Sequence, residues 1–211
     1  MQPTMPRLWD ISPGVSPDSP LFPGDQAYQQ RWTATLSPGC PVNLSAITMS
    51  PHIGAHADAP LHYAADAATI GSVGLEPYLG RCRVVHALHC GPLVQPFHLQ
   101  HAAAGLPPRV LVRTCERAPT QWSAEFAAFA PETIAWLASL GVTLVGIDSQ
   151  SVDPADSKTL PSHRQLRLHG LRVLENLVLD DVPEGDYELI ALPLKLMTAD
   201  ASPVRAVLRE L

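Results

Sequence analysis

Cysteine is sparse in this chain and has no pattern. Cys40, Cys82, Cys90 and Cys115 are the only four, and no CxxC pair occurs, which excludes a zinc ribbon and a small disulfide framework. They read as reduced packing residues. No stretch approaches the roughly 20 consecutive apolar residues that cross a bilayer. The opening Met1-Gln-Pro-Thr-Met-Pro-Arg-Leu-Trp9 lacks the basic, apolar and small-residue order of a signal peptide, so the expected location is the cytoplasm. There is no basic block either. Lys and Arg number 14 against 20 Asp and Glu, a formal net charge of −6, and they are scattered. That distribution excludes a nucleic-acid footprint and points to small-molecule partners. A Gly-x-Ser-x-Gly nucleophile elbow is absent, as are internal repeats and linkers.

Charged residues make up only 16% of the chain and apolar ones 46%, a balance that requires a buried core. A length of 211 residues suits one domain spanning 1–211. Proline is plentiful, at 22 residues, and gathers in turns such as Ser19-Pro-Leu-Phe-Pro-Gly-Asp25 and Ser37-Pro-Gly-Cys-Pro41. Between them the pattern predicts strands at 8–11, 28–36, 42–49, 82–88, 110–114, 142–147, 172–178, 187–192 and 204–209. Helices are predicted at 120–129 and 131–140. The second is the clearer: Pro131 suits a first turn, Glu132 suits the positive helix start, Ile134, Leu137 and Ala138 share a face, and Gly141 ends it. The result is an α/β domain, mainly of strands, with one βαβ element.

Three of the nine histidines fall with Asp58 in the run His52-Ile-Gly-Ala-His56-Ala-Asp58-Ala-Pro-Leu-His62. A helix would align His52 with His56, but Gly54 and Pro60 oppose it. On an extended chain His52, His56, Asp58 and His62 all have the same parity. A straight strand would still hold His52 and His56 roughly 13 Å apart, too far for one ion with ligands at about 2 Å. The chain must therefore bend, and Gly54 permits it. His52, His56 and Asp58 then form the three protein ligands of an open metal site, and Asp58 has a second oxygen for a second ion. His163, expected in a loop, and Glu175, expected in an apolar strand, are the candidates to complete it. A carboxylate among Val173, Leu174, Leu177 and Val178 needs a cation, although a cap on Arg172 is the alternative.

Such a site suits hydrolysis. A bound metal lowers the pKa of water from 15.7 to about 7, and a second ion can polarise a carbonyl. His62, just beyond the ligands, is assigned to general acid/base duty, since imidazole ordinarily titrates near 6.5. His86, His89, His98 and His101 read as structural. His169 stays ambiguous, and Asp148 could serve the site or a turn. The alternatives are an amidohydrolase acting on a cyclic amide or imide and a metal-binding protein without turnover.

The eleven-residue run resembles the His-x-Gly-Thr-His-x-Asp-x-Pro-x-His pattern of the cyclase-like amidohydrolases, and among them the bacterial arylformamidases, or kynurenine formamidases. Trp9-Asp-Ile-Ser-Pro13, Phe22-Pro-Gly-Asp25, Gly80-Arg-Cys-Arg83, Gly146-Ile-Asp148, Ser151-Val-Asp-Pro154, Ser162-His163, Glu175-Asn-Leu177, Leu192-Pro-Leu-Lys-Leu196 and Ser202-Pro-Val-Arg-Ala206 are similar too. The resemblance implies a compact swivelling β/β/α-type domain with a mixed, mainly antiparallel sheet, which forms a homodimer. It implies two divalent ions per chain, zinc or alternatively manganese, held by His52, His56 and Asp58 and by Asp58, His163 and Glu175, with His62 as acid/base. The implied reaction is hydrolysis of N-formyl-L-kynurenine to L-kynurenine and formate in tryptophan degradation. Two positions depart from the pattern. Ala55 stands in the place of Thr, and Phe22 replaces a substrate-contacting Trp, keeping an aromatic face without the indole N–H.

Overall fold

The computed structural model describes residues 6–211, so the opening Met1 to Met5 lie outside the described residues. Thirteen strands and four helices follow. The strands are β1 (Leu8–Asp10), β2 (Gln29–Ala34), β3 (Leu44–Thr48), β4 (His56–Asp58), β5 (Leu79–His86), β6 (Leu93–Val94), β7 (Arg109–Arg113), β8 (Ala128–Phe129), β9 (Leu144–Ile147), β10 (Arg172–Glu175), β11 (Gly185–Ile190), β12 (Ala201–Pro203) and β13 (Val207–Arg209). The helices are α1 (Pro60–Tyr63), α2 (Pro96–Leu99), α3 (Pro131–Ser139) and α4 (Pro161–His169).

Nine strands form one mixed sheet in the order β1-β13-β11-β5-β7-β9-β10-β4-β12. The middle four, β5, β7, β9 and β10, run parallel, and every other pairing is antiparallel. The expected mixed, mainly antiparallel α/β fold is what the chain forms. Alternation along the parallel strands feeds two cores, as period-2 geometry requires. Leu111, Leu144 and Leu174 enter one core with Ala57, Tyr78, Leu189 and Leu208. Val110, Val112, Val145 and Val173 enter the other, with Ile134 and Leu137 of α3 and Leu166 of α4. The first core draws on Ala57 of β4 and Leu208 of β13, strands near opposite ends of the sheet, and the second packs against α3 and α4. Among the described residues no helix is long and apolar enough to cross a membrane.

Several expected elements are corrected. Residues 120–127 form no helix, and the segment ends instead in β8, paired with β6. Its flanks are tied to distant segments: Ala118 N–H donates to Asp180, Ala128 N–H to the Pro92 carbonyl and Phe129 N–H to the Val152 carbonyl. The expected strand at 172–178 stops at Glu175, because Asn176 takes a left-handed φ of 56° and its N–H turns to the Ser149 carbonyl. The expected strand at 204–209 shortens to β13, near one end of the sheet, and the unexpected β12 precedes it at the other end. α4 replaces the expected loop around His163. Only Ser162, His163 and Leu166 of its nine residues are buried, so it lacks the wide apolar stripe that announces a helix.

Candidate metal centre

β4 lies between β10 and β12 in the sheet, and its register assembles the site. His56 stands directly opposite Glu175, and Asp58 lies opposite Val173 on one side and Ala201 on the other. Opposed residues share a face, and so do residues two apart, so His56, Asp58 and Glu175 project together. His52 arrives from a turn rather than a strand, because Gly54 takes a φ of +67°. A side chain there would be strained, and its Cβ would come within 2.9 Å of Val15. The bend expected at Gly54 is present, whereas the extended parity expected from His52 through His62 holds only for His56 and Asp58. His62 sits on α1 and His163 in the first turn of α4.

The donor atoms converge. His52 Nδ1 lies 3.1 Å and His56 Nε2 3.5 Å from Asp58 Oδ1, and His163 Nε2 lies 3.5 Å from Asp58 Oδ2. Glu175 approaches His56 Nε2 at 3.3 Å and His163 Nε2 at 3.8 Å. Yet His56 Nε2, His163 Nε2 and both Asp58 oxygens are buried without a hydrogen-bond partner. Such orphans require an explanation, because an unpaired buried carboxylate is costly. Ligands about 2.0–2.1 Å from a tetrahedral zinc stand roughly 3.4 Å apart, which matches these unaligned separations. The residues present therefore fit divalent ions. His52, His56 and Asp58 offer ligand atoms within 4.8 Å of one another, as do Asp58, His62 and His163.

Each candidate ligand histidine has its other nitrogen engaged. His56 Nδ1 donates to the Gly54 carbonyl at 2.9 Å, His163 Nδ1 to Asp153 Oδ2 at 2.7 Å, and His52 Nε2 to Asp200 Oδ2 at 3.0 Å. That leaves one lone pair per ring turned to the cluster, the pattern of carboxylate–histidine–metal sites. Asp153 also accepts the N–H groups of Ser162 and His163, so one carboxylate caps α4 and orients its histidine. Asp200 was missed by the sequence reading, since Thr198-Ala-Asp-Ala201 carries no local signal. Asp153 was within reach through Ser151-Val-Asp-Pro154.

The remaining expectations divide. Glu175 accepts the Val152 N–H at 2.8 Å and faces the histidines, and among the described residues it makes no ion pair with Arg172. Asp148 accepts from Thr114 and Cys115 backbone and side chains, so it organises that turn rather than the cluster. His86 bonds the Val182 carbonyl, His98 the Gln95 N–H and His101 Glu184, consistent with structural roles. All four cysteines are free. A cavity of about 400 Å³ opens over the cluster, walled by Phe22, His52, His62, His163, Glu175 and Asp200. Phe22 meets Trp122 edge to face at 5.9 Å, so a second aromatic supports that wall. A larger hollow nearby, about 670 Å³, is lined by Cys90, Cys115 and Asp148 and by none of the clustered residues.

The cluster's charges set its pH behaviour. Burial disfavours a charged His52, yet its contacts and charge interactions with Asp58 and Asp200 raise it to about 9. Burial likewise opposes, and Asp153, Asp58 and Glu175 outweigh it to raise, His163 to about 10. Burial pushes Asp58 up, but His163 and His52 hold it well below the usual carboxylate range. In metal-free protein the histidines therefore contribute stability that is complete below about 6.5 and is lost as pH rises through 9 to 10. The depressed aspartates lose theirs only in acid, below their ordinary range near 3.8. Metal and protons compete for the same lone pairs. Melting temperature measured from pH 6 to 10 should fall for chelated protein and fall less for zinc-loaded protein; a chelated curve that stays flat or rises would contradict this electrostatic account.

Comparison with known proteins places the chain. A family model described as putative cyclase matches residues 9–154. The kynurenine formamidase of Bordetella pertussis is 69% identical over 208 residues, covering 98% of this chain and 100% of that protein. That of Delftia acidovorans is 68% identical over 205 residues, covering 97% and 98%. Among solved structures, a potential metal-dependent hydrolase with cyclase activity superposes with a TM-score of 0.84 at 27% identity, over 98% of each chain. Isatin hydrolase A from Labrenzia aggregata shares the fold, with a TM-score of 0.80 at 20% identity over 97% of this chain and 93% of that one. The chain belongs to the putative cyclase family, together with the curated kynurenine formamidases.

Proposed function

We propose that this chain is a cytoplasmic enzyme that hydrolyses N-formyl-L-kynurenine to L-kynurenine and formate, a step of tryptophan degradation, with two divalent ions, zinc or manganese, in its site. The observation that carries the reading is the set of buried, unpartnered ligand atoms on His56, Asp58 and His163. Full-length similarity to kynurenine formamidases supports the substrate. His52, His56 and Asp58 would hold one ion and Asp58, His163 and Glu175 the other. Ions bound there supply an activated water at neutral pH and polarise the formyl carbonyl.

The chain's own residues do the rest. Hydrolysis breaks the formamide C–N bond, adding hydroxyl to the formyl carbon and a proton to the departing aryl amine. His62 lines the cavity and donates its Nδ1–H to Asp200 at 3.1 Å, which leaves its other nitrogen to take a proton from water and return it to that amine. Phe22, 44% exposed at the mouth, offers a face for the substrate's aryl ring. A homodimer, implied by the resemblance, has support in the β2–β3 ribbon, where Trp32 and Ile47 share one face and are each 58% exposed.

Metal content and N-formylkynurenine hydrolysis, measured on one preparation before and after chelation, test the reading. Activity and ions should be lost and restored together; metal-loaded protein that leaves this substrate intact, or that opens a cyclic amide instead, would sink it. His62→Ala should keep its metal while kcat falls by about 10²–10⁴. Glu175→Gln should lose about one ion per chain, and unchanged stoichiometry would count against its place in the second ion's ligand set. Sedimentation equilibrium should report a dimer that Trp32→Glu with Ile47→Glu weakens, and a monomeric parent protein would refute the homodimer.

A further inference from the structure

One carboxylate oxygen outside the ligand set touches both a ligand histidine and the acid/base histidine. Asp200 Oδ2 lies 3.0 Å from His52 Nε2 and 3.1 Å from His62 Nδ1, and the two rings stand 4.4 Å apart. A carboxylate is ordinarily ionised at neutral pH, and in that form it only accepts. Both facing nitrogens must therefore carry hydrogen. In the neutral rings that leaves Nδ1 of His52 and Nε2 of His62 as the acceptors. Nδ1 of His52 is the atom that faces Asp58, at 3.1 Å.

The oxygen is not on a loose tail. β12 pairs with the ligand strand β4, with Ala201 opposite Asp58, and the Ala59 N–H donates to the Asp200 carbonyl at 2.8 Å. The sheet ladder that places Asp58 thus also places Asp200, one residue beyond the strand. His52, His62 and Asp200 could by proximity be a further ion site. Their contacts argue otherwise, because they are aligned hydrogen bonds, whereas the atoms of His56, Asp58 and His163 that face one another are not.

We propose that Asp200 is a positioning residue that sets the tautomers of His52 and His62 together, so that one ring presents its lone pair to metal and the other to the reacting proton. The proposal rests on the metal-hydrolase reading above. It differs from the role of Asp153, whose carboxylate meets only one histidine of the cluster. Asp200 ties metal affinity to proton transfer through a single oxygen.

Asp200→Asn, His62→Ala and the double variant test it, with zinc as the probe in competition with a chromogenic chelator. The Asp200 side chain is 41% exposed, so loss of its charge leaves the core intact. Asp200→Asn should bind zinc about 10–100-fold more weakly with unchanged stoichiometry at saturation. At saturating zinc its kcat on N-formylkynurenine should fall about tenfold or more, with KM within about threefold. In the His62→Ala background the same change should lower kcat by less than about twofold while still weakening zinc. Unchanged zinc affinity, loss of a whole ion at saturation, or fully additive losses in kcat would each overturn the positioning role. Parent protein that takes up no zinc would overturn the metal-hydrolase reading itself, and the proposal with it.

Discussion

Asp58 is an ionised carboxylate sealed inside the protein with no hydrogen bond to either oxygen, and the site follows from that constraint. An isolated buried charge costs far more than a domain's net stability can absorb, so cationic partners must surround it. Histidine rings approach it from three directions, from the Gly54 turn, from β4 itself and from α4. Protons on those rings can supply the balancing charge, and so can metal. The ring nitrogens nearest Asp58 stand at ligand-like separations and away from hydrogen-bond alignment, which favours metal.

The sheet supplies the precision. β4 is short, but β10 and β12 clamp it on both edges, and the same pairings fix Glu175 and Asp200 around it. The outward nitrogens of the rings are pinned by groups of different kinds: a backbone carbonyl at Gly54, a helix-capping carboxylate at Asp153 and a half-exposed carboxylate at Asp200. Each fixes a ring's orientation before any ion arrives, which lowers the reorganisation that binding would otherwise demand. Residues nearer the solvent, Phe22 and His62, line the cavity where substrate would meet the cluster.

Much of this was legible in the sequence because it is local. Gly54 between two histidines demands a bend that a Cβ would resist, and the chain makes it with a left-handed φ. The run of His52, His56 and Asp58 is close enough to form most of a ligand set unaided, and Pro131, Glu132 and Gly141 bound α3 as capping chemistry expects. What was not legible depends on tertiary context. Residues 120–127 form no helix between flanks that are tied to distant segments at Ala118, Ala128 and Phe129, and α4 buries too few side chains to show a stripe. Asp200 lies 138 positions from His62, in an unremarkable run, and gains meaning only from the β4–β12 pairing.

Anomalous diffraction at the zinc edge from metal-loaded crystals tests the central claim most directly. The account predicts two peaks per chain, roughly 3.5–4 Å apart, one on either side of the Asp58 carboxylate. A single peak there, or none within bonding distance of Asp58, would contradict it.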